Sequence, residues 1–177
     1  ERIKELISAE ELAKRVHELA EEIKKDYAGK PLQLVCILKG SVFFACDLAK
    51  MLDMDVRLDF MTVSSYGGGT ESTGAVKIKK DLDHHIEGKH VLIVEDIIDS
   101  GLTLKHLRQL LATRNPASLK VCALLDKESG HPAELGGEYR GFTVANEFVV
   151  GYGLDFDEHY RNLPYVGVLK PEAYETK

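Results

Sequence analysis

The sequence lacks the excess of positive charge that nucleic-acid binding requires. It carries 23 lysine and arginine residues against 29 aspartate and glutamate residues, for a formal net charge of −6. A protein that binds the phosphate backbone needs a basic face, so small molecules are the favoured partners. No apolar run reaches the length of a signal peptide or a membrane span. We therefore expect no nucleic-acid partner, no membrane partner and a cytoplasmic location.

Two further absences narrow the class of protein. The three cysteines have no Cys-x-x-Cys spacing and lie in apolar runs, which is typical of reduced core thiols in a cytosolic protein: Cys36, Cys46 and Cys122. The phosphate-binding Walker motif is missing, because Gly74 is followed by alanine and valine instead of lysine and serine or threonine. No Gly-x-Gly-x-x-Gly motif joins a strand to a helix. Kinase and dehydrogenase interpretations therefore lose their main support.

The apolar pattern predicts one α/β domain over residues 1–177. Apolar runs at 32–38, 91–95 and 120–125 are typical of buried strands. They alternate with helical patterns, one beginning at a capping box formed by Ser8 and Glu11. This alternation indicates a central, mainly parallel sheet flanked by helices on both faces.

A strand followed by a long polar loop is predicted in the middle of the chain. Val56, Leu58 and Phe60 alternate with Arg57 and Asp59, which indicates a strand whose wetter face carries the two charged residues. The glycine-rich stretch that follows predicts a mobile lid over about 64–80, with strand material near its end.

The stretch 91–104 carries the predicted chemistry. An apolar run ends in Glu95 and Asp96, and Asp99 comes three residues later, before a turn into a helix. Free backbone N–H groups at a helix start favour a phosphate. Neighbouring carboxylates repel one another unless a cation neutralises them, which favours Mg²⁺ bridged to a phosphorylated sugar. Two alternatives stay open: Asp99 or Ser100 merely caps the helix, or the protein is a receiver-type phosphorylation domain that uses Asp96 and Lys127.

Residues 94–103, Val-Glu-Asp-Ile-Ile-Asp-Ser-Gly-Leu-Thr, resemble the phosphoribosyl-pyrophosphate motif of type I phosphoribosyltransferases. The flanking sequence resembles the bacterial hypoxanthine-guanine phosphoribosyltransferases at 38–41, 65–66, 124–127, 147–155 and 160–165. The resemblance implies the type I phosphoribosyltransferase fold, with a lid loop and a small hood built from the N-terminal and about 126–177 segments. Family members are usually dimers or tetramers.

The resemblance also implies the reaction and its partners. A purine base, hypoxanthine or guanine, displaces pyrophosphate from phosphoribosyl pyrophosphate with Mg²⁺ as cofactor, giving the nucleotides IMP or GMP. This is purine salvage. A regulator that keeps the phosphoribosyl site only as a sensor is a further alternative.

Each site role is carried over from the resemblance to matching positions. The general base for the purine N7 proton matches Asp99. The phosphoribosyl and 5′-phosphate site matches Glu95, Asp96, Ile98, Asp99, Ser100, Gly101, Leu102 and Thr103. The pyrophosphate site matches Lys39 and Gly40, in a turn whose peptide is cis in the family, together with Arg161. The lid matches Ser65 and Tyr66. The purine site matches Lys127, Phe148, Val149 and Asp155, and the metal ligands match Glu95, Asp96 and Asp155.

Two departures from the family pattern leave the ranking of hypoxanthine, guanine and xanthine open. Glu147 stands where mammalian members carry a lysine, a difference shared by the bacterial type. Residues 128–138 follow no pattern that can be assigned.

Overall fold

The computed structural model describes residues 2–65 and 76–174. The helices and strands are β1 (Ile3–Ile7), α1 (Ala9–Asp26), β2 (Leu32–Leu38), α2 (Val42–Met51), β3 (Val56–Ser65), β4 (Val76–Lys80), β5 (His90–Ile98), α3 (Leu102–Ala112), β6 (Ser118–Asp126), β7 (Tyr139–Thr143), β8 (Val149–Val150), β9 (Val166–Leu169) and α4 (Pro171–Tyr174). Two 3₁₀ turns, Glu128–Gly130 and Ala133–Leu135, lie between β6 and β7. No helix in the described ranges has the length and apolar character needed to cross a bilayer.

The central sheet has six strands in the order β4-β3-β2-β5-β6-β7. All neighbours are parallel except β3 and β4. Helices α1 and α2 contribute to one apolar cluster and α3 to another, so the middle strands are buried on both faces. This burial explains why β2 is apolar except at Gln33 and why β5 is apolar over residues 91–94. The predicted α/β class with a mainly parallel, helix-flanked sheet is confirmed.

Helix α1 begins where the sequence predicts. The Ser8 hydroxyl accepts the Glu11 N–H at 3.0 Å, and the Glu11 carboxylate accepts the Ser8 N–H at 2.8 Å. This capping box satisfies two of the unpaired donors at the helix start. Leu12, Val16 and Leu19 then form its buried face.

The predicted end of the strand at 91–95 was wrong, because β5 is longer. It continues to Ile98 because its ladder with β6 runs as far as the pair Ile98 and Asp126. Its ladder with β2 ends earlier, at Val94. Glu95 and Asp96 therefore lie in the part of β5 that continues beyond its ladder with β2.

The prediction for the faces of β3 was wrong at two neighbouring positions. Leu58 is 45% exposed, whereas Asp59 is only 2% exposed. Asp59 is buried because its carboxylate accepts backbone N–H groups from Asp83 and His84 at 3.0 Å and from Phe60 at 2.9 Å. These bonds compensate for the loss of hydration, so a carboxylate replaces an apolar side chain on the buried face.

A second sheet joins the two ends of the described chain. Strand β1 pairs antiparallel with β9, and β9 pairs antiparallel with β8. The sheet thus combines the N-terminal segment with segments after residue 126, those from which the hood is predicted.

Strands bound the predicted lid on both sides. Ser65 at the end of β3 pairs with Val76 at the start of β4. The strand predicted near the end of the range 64–80 is β4, which is confirmed, whereas Ser64 and Ser65 were predicted as loop and belong to β3. Tyr66 lies outside the described residues, and the lid itself stays a prediction.

Candidate active site

The turn between β5 and α3 has the geometry of an anion site. Gly101 is the N-cap of α3 and has a φ of 81°, a left-handed conformation that glycine adopts without steric cost. The turn and the first residues of α3 line a cavity of about 190 Å³ together with Glu95. Because the first N–H groups of a helix have no partner inside the helix, this end of α3 favours a negative charge. Six of the eight residues predicted for the phosphoribosyl and 5′-phosphate site therefore line one cavity; Asp96 and Leu102 are the other two.

The helix-cap alternative is wrong for Asp99. Asp99 is engaged elsewhere: its exposed carboxylate is directed to the ammonium of Lys127, 3.5 Å away. Ser100 makes one long hydrogen bond, in which its hydroxyl accepts the Leu102 N–H at 3.3 Å. Asp99 is thus available for chemistry at the cavity.

The acidic pair, Glu95 and Asp96, lies half-buried in the last part of β5. Burial and the adjacent Asp96 carboxylate raise the pKa of Glu95 well above its usual range. Burial also raises the pKa of Asp96 to about 6, although the N–H of Ile97, 2.7 Å away, and the Arg161 guanidinium act in the opposite direction. A bound cation would relieve this cost, because it favours the ionised carboxylates.

A metal ion fits these oxygen donors only with help from a ligand. Across residues 2–65 and 76–174, no three acidic, histidine or cysteine side chains converge closely enough to hold an ion by themselves. Mg²⁺ commonly binds through one or two carboxylates while waters and substrate phosphates complete its coordination. Glu95 and Asp96 meet that requirement.

Gly40 brings the β2 turn against the acidic pair. The peptide bond between Leu38 and Lys39 is cis. A Cβ at Gly40 would overlap the carboxylate of Asp96, and a Cβ at Gly153 would overlap the carbonyl oxygen of Gly40. Only glycine permits both close approaches. The turn is therefore packed between β5 and the segment after β8.

Lys39 and Arg161 meet at one carboxylate. The Lys39 ammonium lies 2.9 Å from Glu158, and an Arg161 nitrogen lies 3.3 Å from Glu158 and 3.4 Å from Asp155. Another Arg161 nitrogen donates to the Gly153 carbonyl at 2.5 Å. The two cations lower the pKa of the Glu158 carboxyl. The structure thus brings together the residues predicted for pyrophosphate and for the metal.

Sequence reasoning missed Glu158. Its position three residues from both Asp155 and Arg161 was an available signal, because such spacing in a tight turn places charged side chains near each other.

Lys127 connects the phosphate turn with the predicted purine site. It follows the last residue of β6, and its N–H donates to the Ile98 carbonyl at 2.9 Å. Its ammonium lies 3.5 Å from Asp99 and 3.4 Å from the Asn146 amide oxygen. The side chain is only 12% exposed, so it is held in place.

Phe148 lies in a group of aromatic rings. The Tyr174 ring packs on it at a small tilt, with centroids 4.8 Å apart, and the Phe156 ring meets it nearly at right angles at 5.6 Å. Val149, the next residue, is buried on β8 and pairs with Val168. Asn146 lies two residues before Phe148, and its amide oxygen contacts the Lys127 ammonium, so Lys127 lies next to the segment that carries Phe148. Phe156 and Tyr174 were not predicted, because single aromatic residues in polar segments carry no periodic signal.

Comparisons with known proteins agree with this arrangement. A sequence model of the phosphoribosyl transferase domain matches residues 3–157. The hypoxanthine-guanine phosphoribosyltransferase of Streptococcus pneumoniae strain R6 is 53% identical over 173 residues, which cover 98% of this chain and 96% of that protein. The Lactococcus lactis enzyme of the same name is 53% identical over 171 residues, or 97% and 93% of the two chains.

The fold agrees as well. The crystal structure of a hypoxanthine phosphoribosyltransferase from Staphylococcus aureus superposes with a TM-score of 0.94 at 51% identity, covering 98% of this chain and 94% of that one. These similarities show that the receiver-type alternative is wrong. The chain belongs to the phosphoribosyl transferase family, within its branch of hypoxanthine-guanine phosphoribosyltransferases.

Proposed function

We propose that the protein transfers the 5-phosphoribosyl group from phosphoribosyl pyrophosphate to N9 of hypoxanthine or guanine, giving IMP or GMP and pyrophosphate. The observation that carries this proposal is the position of Lys127. Its side chain joins Asp99, at the phosphate turn, to Asn146, which leads into the aromatic group around Phe148. A sugar phosphate at the turn and a base beside Phe148 would therefore meet near Asp99.

The phosphoribosyl group would lie along β5 and the turn. Glu95 and Asp96 are placed to hold the ribose hydroxyls, and the backbone from Asp99 to Thr103 is placed to hold the 5′-phosphate. The support is the cavity that Glu95 shares with the turn at Asp99–Gly101 and the start of α3; Asp96 lies beside Glu95 on β5. A helix N-terminus favours a phosphate through the direction of its backbone N–H groups and through its dipole.

The base would be selected by Lys127 and held by Phe148. An ammonium group only donates hydrogen bonds, so it matches the 6-oxo group of hypoxanthine or guanine and not the 6-amino group of adenine. Phe148 would stack on the purine ring, and backbone groups at Val149 would contact the edge of the base. Stacking contributes affinity without distinguishing one purine from another.

In the bond-changing step, N9 of the purine forms a bond to C1 of the ribose. The bond from C1 to the pyrophosphate oxygen breaks, and the leaving pyrophosphate takes its electron pair. The proton on N7 passes to the Asp99 carboxylate, which acts as general base. Charge stabilisation by fixed groups contributes most to such a reaction.

The leaving group would be received by Lys39, the Gly40 turn and Arg161. The two cations now share Glu158, so we propose that pyrophosphate replaces that carboxylate. Mg²⁺ bound through Glu95, Asp96 and Asp155 would neutralise developing charge on pyrophosphate. Ser65 and Tyr66 would belong to a lid that excludes water and so suppresses hydrolysis.

A cytoplasmic location and a homodimer or homotetramer complete the proposal. Burial raises the pKa of the Cys36 thiol to about 12, which is consistent with an inert, reduced cysteine. An apolar surface that a second copy could cover supports the proposed homo-oligomer. This surface is a groove of about 490 Å³ between α1 and α2, where Phe43 is 42% exposed. Light scattering of the purified protein would give the oligomeric state.

The central experiment is a pyrophosphate-release assay with Mg²⁺, phosphoribosyl pyrophosphate and a base. We expect release with hypoxanthine or guanine, much less with adenine, and only slow hydrolysis when no base is added. Parallel assays with xanthine would rank the three 6-oxopurines. Binding of phosphoribosyl pyrophosphate without any turnover would instead support the sensor alternative.

A further inference from the structure

The segment of residues 128–137 between β6 and β7, here the β6–β7 segment, is fixed by a buried charged pair. Asp126, the last residue of β6, has a fully buried side chain, and the His131 side chain is 1% exposed. The Nε2 atom of His131 lies 2.5 Å from one Asp126 oxygen. Arg140 on β7 lies 3.2 Å from the other oxygen and also contacts Glu128 at 2.6 Å.

The contacts of the His131 ring require an additional proton. Its Nδ1 atom lies 2.7 Å from the carbonyl oxygen of Pro132, while Nε2 faces the Asp126 carboxylate. Both partners are acceptors, but a neutral imidazole carries only one N–H. The ring and the carboxyl group must therefore share a proton that a neutral histidine beside a carboxylate would lack.

The charged groups around His131 favour the imidazolium form. Asp126 faces it from β6, Arg140 contributes a positive charge from β7, and Glu128 partly balances that charge. The bonds to Pro132 and Asp126 raise the pKa of His131, whereas burial and Arg140 oppose the increase.

The β6–β7 segment packs directly against the phosphate turn. A Cβ at Gly130 would come within 2.8 Å of the Asp99 carbonyl oxygen, and a Cβ at Gly101 within 2.8 Å of the Leu135 Cβ. The Gly130 N–H donates to the Lys127 carbonyl at 2.8 Å. A displacement of this segment would therefore move Asp99 and Lys127 together.

We propose that His131 is a positioning residue, whose protonated ring, bound between Asp126 and Pro132, holds the β6–β7 segment against the turn that carries Asp99. The inference rests on the proposed function, because it assigns His131 an effect on that reaction. A raised pKa means that the contact is complete at low pH and weakens as the pH rises through that pKa. Loss of the proton removes one of the two hydrogen bonds of the ring, so turnover should fall on the alkaline side.

The test compares His131→Gln with His17→Gln, which changes an exposed histidine on α1. We expect His131→Gln to lower kcat/KM for hypoxanthine about tenfold near pH 7, because small displacements of catalytic groups are costly. Affinity for phosphoribosyl pyrophosphate should fall by a smaller factor, because the same turn is proposed to hold the 5′-phosphate. The decrease in kcat/KM at alkaline pH should be smaller in His131→Gln than in the unchanged protein. His17→Gln should have the same pH profile as the unchanged protein. Identical pH profiles for His131→Gln and the unchanged protein would overturn the proposal.

NMR of the unchanged protein keeps the test independent of folding and of activity. In ¹⁵N-histidine-labelled protein, we expect the His131 ring to stay doubly protonated at pH values above the usual histidine pKa of about 6.5. Asp126→Asn should remove this shift. A neutral His131 ring below pH 6 would contradict the proposal even if the enzyme is fully active. Absence of pyrophosphate release would instead reject the proposed function and leave the titration interpretable.

Discussion

The ammonium nitrogen of Lys127 lies 3.5 Å from a carboxylate oxygen of Asp99. The side chain proposed to recognise the purine oxygen is thus paired with the side chain proposed to accept the purine proton. Lys127 is 12% exposed and Asp99 67% exposed, so the lysine is held while the carboxylate remains accessible. One contact therefore links specificity with proton transfer.

Asp99→Asn should lower kcat for nucleotide formation by about a hundredfold or more, because an amide of the same shape cannot accept the N7 proton. Binding of phosphoribosyl pyrophosphate should largely persist, since the turn keeps its backbone geometry. Single-turnover kinetics and calorimetry would measure the two effects. Asp53→Asn, at an exposed position, is the control. Unchanged turnover in Asp99→Asn would remove Asp99 from the mechanism.

Lys127→Ala should weaken hypoxanthine binding by about tenfold to a hundredfold, because the 6-oxo group loses a charged donor worth about 1.5–3 kcal/mol. Affinity for phosphoribosyl pyrophosphate should change much less. Lys105→Ala, at an exposed position on α3, provides the comparison. Equal losses for both substrates would indicate a folding defect and would contradict the assigned role.

Gly40→Ala should abolish most binding of phosphoribosyl pyrophosphate while leaving the protein folded. The added methyl group would overlap the Asp96 carboxylate, so the acidic pair must move. Gly29→Ala separates this effect from backbone strain, because Gly29 has a positive φ of 76° but no atom near its Cβ position. Calorimetric titration measures the affinity. Equal affinity in both variants would show that the approach of Gly40 to Asp96 has no role in binding.

Asp59→Ala should lower the free energy of unfolding by about 3 kcal/mol, because buried backbone N–H groups of Asp83 and His84 would lose a charged acceptor. The neighbouring Leu58→Ala should change it by less than about 0.5–1 kcal/mol, since Leu58 is 45% exposed. Urea denaturation would measure both values. A larger loss for Leu58→Ala would reverse the assignment of the two faces of β3.

The fold was predictable wherever burial on both faces produced an uninterrupted apolar run. Strand β2 lies at the predicted residues 32–38, and the capping box of α1 lies at the predicted residues. The end of β5 was not predictable, because pairing with β6 determines how far that strand extends through Glu95 and Asp96. The buried face of β3 was mispredicted because hydrogen bonds from another segment satisfy Asp59.

The site was predictable only to the extent that its chemistry is local in sequence. A helix start next to an acidic pair can be recognised in the stretch 91–104, and it led to the phosphate turn. The contact of Glu158 with Lys39 spans 119 residues and that of His131 with Asp126 closes a turn without a periodic pattern. Such contacts depend on tertiary structure, so residue types alone did not indicate them.

The small sheet has a consequence for the order in which the protein is completed during synthesis. Strand β9 separates β1 from β8 in that sheet, so Val149 obtains its partner only after residues 166–169 have been made. The strands that carry the phosphate turn, in contrast, lie within residues 32–126. A growing chain can therefore assemble the strands that lead into the turn at 99–103 first, and the small sheet forms last, when the final strand joins β1 across almost the whole length of the chain.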